Sequence, residues 1–247
     1  MGPGTDRTRQ PVLDVHGLSA GWGPMRVIHD LDLTVFSGER IGLVGLNGHG
    51  KSTLFQAIAG LTGWQRGSIK LNGFEVGRTR SQGPGRYTHQ IVRGGLGLIP
   101  QGDEIFHGLT VEEHLDSGAF TKRAWAERAE RKRRTLRIFP PLEKLMKIAV
   151  GRLSGGERRM VAIGRGLMSD ADLFLVDEPS LGLAPKIGKS VVEALMAVDL
   201  GSSAMVIAEQ NVALLQGRVD RIIGMHAGKL KGEASASSRS FGAERTK

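Results

Sequence analysis

The sequence predicts an α/β fold: a mainly parallel sheet with an antiparallel β subdomain and an inserted α-helical subdomain. Three observations carry that reading. Arg40-Ile41-Gly42-Leu43-Val44 reads as a short buried strand. It runs through the glycine-rich stretch Gly45 to Ser52 into a helical stretch, Lys51 to Ala59, which Gly60 ends as a C′ residue. Short apolar runs recur at Leu173–Val176, Ala204–Ala208 and Arg221–Gly224, as expected of parallel strands buried on both faces. Between the first strand and these runs, Thr110-Val111-Glu112-Glu113 is a capping box that starts a helix.

The elements follow in order. Val12–Ala20 and Val27–Phe36 alternate apolar and polar residues, Leu31, Leu33 and Val35 among them. They predict antiparallel strands covering one edge of the sheet. Ser68–Leu71 reads as a strand entering a tight turn at Asn72-Gly73. Gly77–Gln90, rich in Gly, Arg and Ser, predicts a mobile loop. Leu96–Ile99 is a short apolar strand stopped by Pro100. Lys122–Phe139 predicts one helix with Trp125, Ala129, Lys132 and Leu136 on a shared packing face, ended by Pro140-Pro141. Residues 102–165 therefore read as a helical insertion. The polar tails, 1–10 and 233–247, are expected to be flexible.

Composition narrows the function classes. No run reaches the roughly 18 apolar residues that span a bilayer, and Met1–Gln10 lacks an apolar signal core. Cysteine is absent, which excludes disulfides and thiolate metal sites and suits the cytoplasm. The formal net charge is +9. It is concentrated in residues 77–93, with four arginines and no acid, and residues 122–137, with eight basic residues against Glu127 and Glu130. Neither segment has aromatic interleaving or a nucleic-acid motif, so no nucleic acid is expected. A solvated helix face, or one near anionic headgroups, fits better.

Gly45-Leu46-Asn47-Gly48-His49-Gly50-Lys51-Ser52 fits the phosphate-loop pattern G-x-x-x-x-G-K-[ST]. Its glycines let backbone N–H groups approach phosphate oxygens, and the helix N-terminus adds partial positive charge. Lys51 supplies a point charge, and the Ser52 hydroxyl can ligate Mg²⁺. Leu173–Val176 ends in Asp177 and Glu178, which places two carboxylates at the edge where nucleotides sit in open α/β sheets. Asp177 suits Mg²⁺, directly or through water, and Glu178 suits a general base for an attacking water. In Leu153-Ser154-Gly155-Gly156-Glu157-Arg158, Ser154 is a helix N-cap followed by two glycines whose N–H groups can face an anion.

With these motifs in this order, the chain resembles the ATP-binding subunits of ABC transporters, from Val12 to about Gly232. The resemblance implies a P-loop NTPase core spanning residues 11–232 as a single domain. Gly45 to Ser52 looks like the Walker A loop, with Gly45, Asn47, Gly48, Gly50, Lys51, Ser52 and Thr53 as nucleotide contacts. Gln101 looks like the Q-loop glutamine, a metal ligand together with Ser52 and Asp177. Leu153–Glu157 looks like the signature sequence, implying that Ser154, Gly155, Gly156 and Glu157 act on ATP held by a second subunit. Trp22 occupies the place of the adenine-stacking aromatic. Gln210, in Ala208-Glu209-Gln210-Asn211, stands where most of the superfamily has a histidine, which implies a γ-phosphate contact beside the catalytic Lys51 and Glu178.

Three stretches are similar to the ATPases of branched-chain amino-acid importers and related urea/amide importers: Ile99–Phe106, Leu109–Leu115 and Asp177–Pro185. That branch implies a second ATPase subunit (paralogue or identical copy), two membrane permeases and, indirectly, an extracytoplasmic binding protein. It implies a peripheral place on the cytoplasmic face of the membrane. Ile105 and Phe106 are expected to help dock the permease. Two departures stand out. Gln210 cannot carry a proton, and Ala184 replaces an aspartate that many relatives have. An exporter-type ATPase and a soluble non-transport ABC ATPase are the alternatives. Ser180–Pro185 fits the first less well, and a single Walker A without a coiled-coil insertion fits the second less well.

Overall fold

The chain begins with a long hairpin whose two strands alternate inward and outward residues. In the computed structural model, which describes residues 10–76, 87–102 and 104–235, β1 (Pro11–Trp22) pairs antiparallel with β2 (Met25–Phe36). Leu13, Val15 and Leu18 of β1 and Leu31, Leu33 and Val35 of β2 are buried, as their alternation predicts. The chain then crosses to a second sheet as β3 (Arg40–Val44) and turns through Gly45–Gly50 into α1 (Lys51–Ile58). It returns to the first sheet as β4 (Trp64–Leu71) and β5 (Phe74–Glu75). Asn72 (φ 50°) and Gly73 (φ 78°) are both left-handed, as a two-residue hairpin turn requires.

The first sheet has the order β2-β1-β4-β5. This corrects the expectation that β1 and β2 cover an edge of the parallel sheet. Both ladder edges of β1 are taken, by β2 and by β4, so the antiparallel strands form a sheet of their own. That sheet stacks on the larger one through apolar side chains, with one backbone bridge from the His29 N–H to the Gly228 carbonyl at 3.0 Å.

The remaining α-helices and strands are α2 (Thr88–Arg93), β6 (Leu96–Ile99), α3 (Val111–Asp116), α4 (Lys122–Ala126), α5 (Arg128–Ile138), α6 (Gly155–Leu167), β7 (Leu173–Asp177), α7 (Pro185–Ala197), β8 (Ala204–Glu209), β9 (Arg221–His226) and β10 (Lys229–Ser235). The larger sheet runs β10-β9-β3-β8-β7-β6. All of its pairs are parallel except β9–β10. Each inner strand feeds two cores. Leu173 and Leu175 of β7, with Ala204 and Val206 of β8, face α1 and the small sheet. Phe174 and Val176, with Met205 and Ile207, face α6 and α7. Burial of each such Leu, Ile or Val is worth about 1.5–3 kcal/mol, which sets the register of these strands firmly.

Three more expectations are revised. The predicted loop Gly77–Gln90 ends in a helix, α2, which starts at Thr88; residues 77–86 lie outside the described residues, as do residues 1–9 of the N-terminal tail. The single helix over Lys122–Phe139 is two helices, broken at Glu127 (φ −94°, ψ 6°). The break turns the first half of the predicted packing face outward. Trp125 is 50% exposed with the Arg128 guanidinium over its ring at 4.3 Å and Ala129 is exposed, whereas Leu136 packs against the second core as predicted, Lys132 is half-buried, and Ala124, Thr135 and Phe139 are buried as well. The C-terminal tail does not start at residue 233, because β10 extends to Ser235 by pairing with β9; residues 236–247 lie outside the described residues. The capping boxes at Thr110 and Ser154 both form, with Glu113 and Glu157 reaching back to the cap N–H at 2.9 and 2.8 Å.

Among the described residues, no helix is long and apolar enough to cross a membrane. Much of the basic excess on α4 and α5 is neutralised locally. Arg131 pairs with Glu127, Lys132 with Glu112 and Asp116, and Arg133 and Arg137 with Glu130.

Candidate nucleotide site

The site forms where β3, β8 and β7 end side by side. Val44 lies opposite Glu209, and Asp177 lies opposite Ala208. The loop after β3, the Gln210 segment after β8 and the acids at the end of β7 therefore share one sheet edge. The loop is shaped by close approach and by handedness. A Cβ on Gly45 would lie 2.5 Å from the Met225 carbonyl oxygen, and Gly50, at φ 102°, caps α1 in a conformation that L side chains rarely adopt. No side chain caps α1 and its first turn holds no acid. Its N–H groups and positive dipole end are thus directed to an outside anion.

Lys51 is 3% exposed, and its ammonium donates to the Gly45 carbonyl at 2.7 Å and the Leu46 carbonyl at 3.2 Å, with Glu178 Oε1 at 2.8 Å. The sequence-predicted trio of Lys51, Asp177 and Glu178 is therefore brought together. Asp177 is also buried, and its Oδ1 has no hydrogen-bond partner. Burial pushes its carboxyl above the usual range, while the Ser52 hydroxyl beside it pulls the other way. One unsatisfied carboxylate oxygen beside one hydroxyl fits a cation that keeps most of its water and its substrate oxygens, as Mg²⁺ does. Among the described residues, no cluster of three or more His, Cys, Asp or Glu offers an all-protein cage.

The other predicted residues are placed around this centre. Asn47 and Gly48 are exposed on the loop, and Ser52 and Thr53 are half-buried in the first turn of α1. Gln210 is exposed just beyond β8, and Gln101 is exposed just beyond β6. Trp22 stands apart, 41% exposed on the hairpin tip of the small sheet. Ser154 and Gly155 are exposed at the start of α6, with Gly156 and Glu157 half-buried behind them. Ile105 and Phe106 part company. Ile105 packs against the second core, while Phe106 is 57% exposed.

Two site residues escape the sequence reading. Glu209, 3% exposed, accepts from the Ser180 N–H at 3.0 Å and the Ser180 hydroxyl at 2.9 Å, tying the strand before Gln210 to the loop after Glu178. Burial raises its carboxyl, and Ser180 opposes that shift. The available signal was an acid closing an otherwise apolar strand. The second is Arg159 on α6, 2% exposed at helical spacing from the buried Ala162 and Ile163. A cation on an apolar stripe was its signal.

The loop carrying Phe106 is held by a buried histidine. His114 Nε2 accepts the Phe106 N–H at 3.2 Å. Burial first, and then the Arg165 guanidinium, lower its pKa to about 4. The unfolded chain takes up this proton near 6.5, so the contribution to stability is complete above that pH and is lost as pH falls toward 4. The loss is on the order of 3 kcal/mol. Thermal unfolding followed from pH 7 to 4 should show a shallower acid decline in His114→Gln than in the parent chain.

The family model described as ABC transporter matches residues 28–181, a span that includes both the glycine loop and the paired acids. The chain belongs to the ABC transporter family. The high-affinity branched-chain amino acid transport ATP-binding protein BraG of Pseudomonas aeruginosa is 34% identical over 89% of this chain and 91% of its own length. The probable branched-chain amino acid transport ATP-binding protein LivF of Archaeoglobus fulgidus is 35% identical over 79% and 80%. The Nod factor export ATP-binding protein I of Rhizobium johnstonii is 30% identical over 88% of this chain and 67% of its own. A solved ATP-binding subunit of an ABC transporter, 29% identical, superposes with a TM-score of 0.73 over 91% of this chain and 90% of that one. This ABC ATPase is an ATP-binding, ATP-hydrolysing subunit with the α/β architecture of the solved cassettes.

Proposed function

We propose that this ABC ATPase energises an importer for branched-chain amino acids or a related amide or urea solute. The observation that carries the ATPase half is the Lys51 contact with Glu178 at 2.8 Å beside the unsatisfied Asp177 oxygen. The importer half rests on the BraG and LivF likeness over most of the chain. The Nod factor export likeness, at lower identity, favours the exporter reading as the second.

In this reading residues 11–232 form one ATPase domain with the helical part, about 102–165, inserted. Gly45, Asn47, Gly48, Gly50 and Thr53 cradle the phosphates, Lys51 neutralises the β/γ-oxygens and Trp22 stacks on the adenine. Ser52, Asp177 and Gln101 would hold Mg²⁺, which would supply charge neutralisation at the phosphates. Glu178 orients and deprotonates the attacking water, and Gln210 holds it near the γ-phosphate. Ser154, Gly155, Gly156 and Glu157 close over ATP on a second ATPase subunit, identical or paralogous. Closure excludes bulk water, so fixed dipoles act in a low-dielectric site. ATP favours the closed pair and hydrolysis releases it.

Two permease subunits would dock on the helical side, and an extracytoplasmic binding protein would act through them. This places the chain on the cytoplasmic face of the membrane. Exposed Phe106, rather than Ile105, is the expected permease contact. In the reconstituted transporter, Phe106→Ala should keep basal ATPase within about twofold and lose most of its stimulation by solute and binding protein. Full stimulation in that variant would remove Phe106 from the docking surface. The solute class is tested in the same assembly: stimulation by leucine, isoleucine or valine, or by urea or a short amide, supports import, and stimulation by none of them refutes it.

A further inference from the structure

The helix that opens with the signature sequence buries a guanidinium against the catalytic segment of its own chain. Arg159 is the largest of the fully buried side chains among the described residues. It donates to five backbone carbonyls in two distant segments. Nη1 donates to Pro100 at 2.9 Å and to Gly102, the two neighbours of Gln101. Nη2 donates to Asp177 at 3.0 Å and Glu178 at 3.4 Å, and Nε to Pro179 at 3.3 Å.

The second group of acceptors surrounds a strained residue. Glu178 has φ 41°, a left-handed conformation rare for a residue with a side chain. Such a conformation persists only where its surroundings over-determine it. Here the Glu178 N–H donates to Ala208 at 3.0 Å, and Arg159 holds the carbonyls before, at and after it. A guanidinium is suited to this because its five donors lie in one rigid plane and reach two segments at once. A lysine has its donors on a single atom and cannot span both.

We propose that Arg159 is a positioning residue. It fixes the Glu178 carboxylate and the Gln101 backbone in a single frame attached to the signature helix, so that the base and the Q-loop move only with α6. This rests on the reading of Glu178 as general base. It goes beyond that reading by assigning the base's geometry to a side chain that donates to backbone carbonyls on either side of the site.

The test uses the full chain with Arg159→Lys and Arg159→Gln, measuring kcat, KM and nucleotide Kd beside thermal unfolding. The phosphate loop is untouched in these variants, so ATP Kd should stay within about threefold. A base displaced by a fraction of an ångström should lower kcat about tenfold or more. Adding Gln101→Ala to Arg159→Lys should cost less than the product of the two single effects, because both act through one frame. The proposal is overturned if folded Arg159→Lys and Arg159→Gln keep kcat within twofold. It is equally overturned if the two losses simply multiply, or if affinity and folding fall together with kcat in both variants, which would make Arg159 a structural residue only. Near-normal turnover in Glu178→Gln would instead refute the general-base reading, and the Arg159 measurements would still report separately on the frame.

Discussion

Glu178→Gln is expected to slow ATP turnover by a factor on the order of 10² or more while retaining nucleotide binding. The amide keeps the size of the carboxylate and can still accept from Lys51, but it cannot take a proton from water. The geometry adds a second expectation. Lys51 spends one donor on Glu178 Oε1 at 2.8 Å, so an arriving γ-phosphate competes with that carboxylate for the ammonium. With the competing charge removed, ATP should bind at least as tightly as to the parent chain. Phosphate release and equilibrium nucleotide binding, measured on one preparation, check both parts. Near-normal turnover would take Glu178 out of the chemistry.

Lys51→Met is expected to weaken ATP binding by about 10² or more, since a charge-assisted contact in a water-poor site carries about 1.5–3 kcal/mol and there are two phosphates to reach. The same change should destabilise the chain without nucleotide. Lys51 and Glu178 are both buried, and removing one member of a buried pair typically costs about 3–5 kcal/mol because the other charge is left without compensation. The two effects separate in the double variant. Lys51→Met with Glu178→Gln should recover most of the lost stability and only a minor part of the lost affinity. Calorimetric unfolding and nucleotide titration on the single and double variants test this; full recovery of affinity would mean that Lys51 does not contact the phosphates.

Why these two residues were legible in the sequence, and others were not, is a matter of range. The glycine loop and the acids after Leu173–Val176 are set by spacing within a few residues, and each sits at a strand end that its own apolar run announces. The capping boxes at Thr110 and Ser154 are local in the same way. Arg159 and Glu209 act through carbonyls or hydroxyls 18 to 59 residues away, and no local pattern encodes those partners. The break between α4 and α5 falls at Glu127, with no Gly or Pro to mark it. It follows from tertiary packing, with Ala124 turned inward and Arg131 anchored to the Ser169 carbonyl at 2.5 Å. The strand β10 was missed because an edge strand of Lys, Gly and Glu offers little alternation; its ladder to β9 defines it. The separate antiparallel sheet was hidden for a related reason. Alternation says that one face is covered but does not say by which partner.

The strands that carry the catalytic groups are clamped between two dry layers, whereas the exposed turn at His107 and Gly108 lies outside them. Stiffness is thus distributed unevenly. Thermal agitation that bends the turn at His107 and Gly108 leaves the tips of β3, β7 and β8 nearly fixed, because shifting one of those strands would disturb both layers at once. Force from a docked membrane protein is therefore absorbed at the periphery and delivered inward only along whatever rods join the two regions. Hydrogen exchange should register this as slow amides through β7 and β8 beside faster ones at His107 and Gly108.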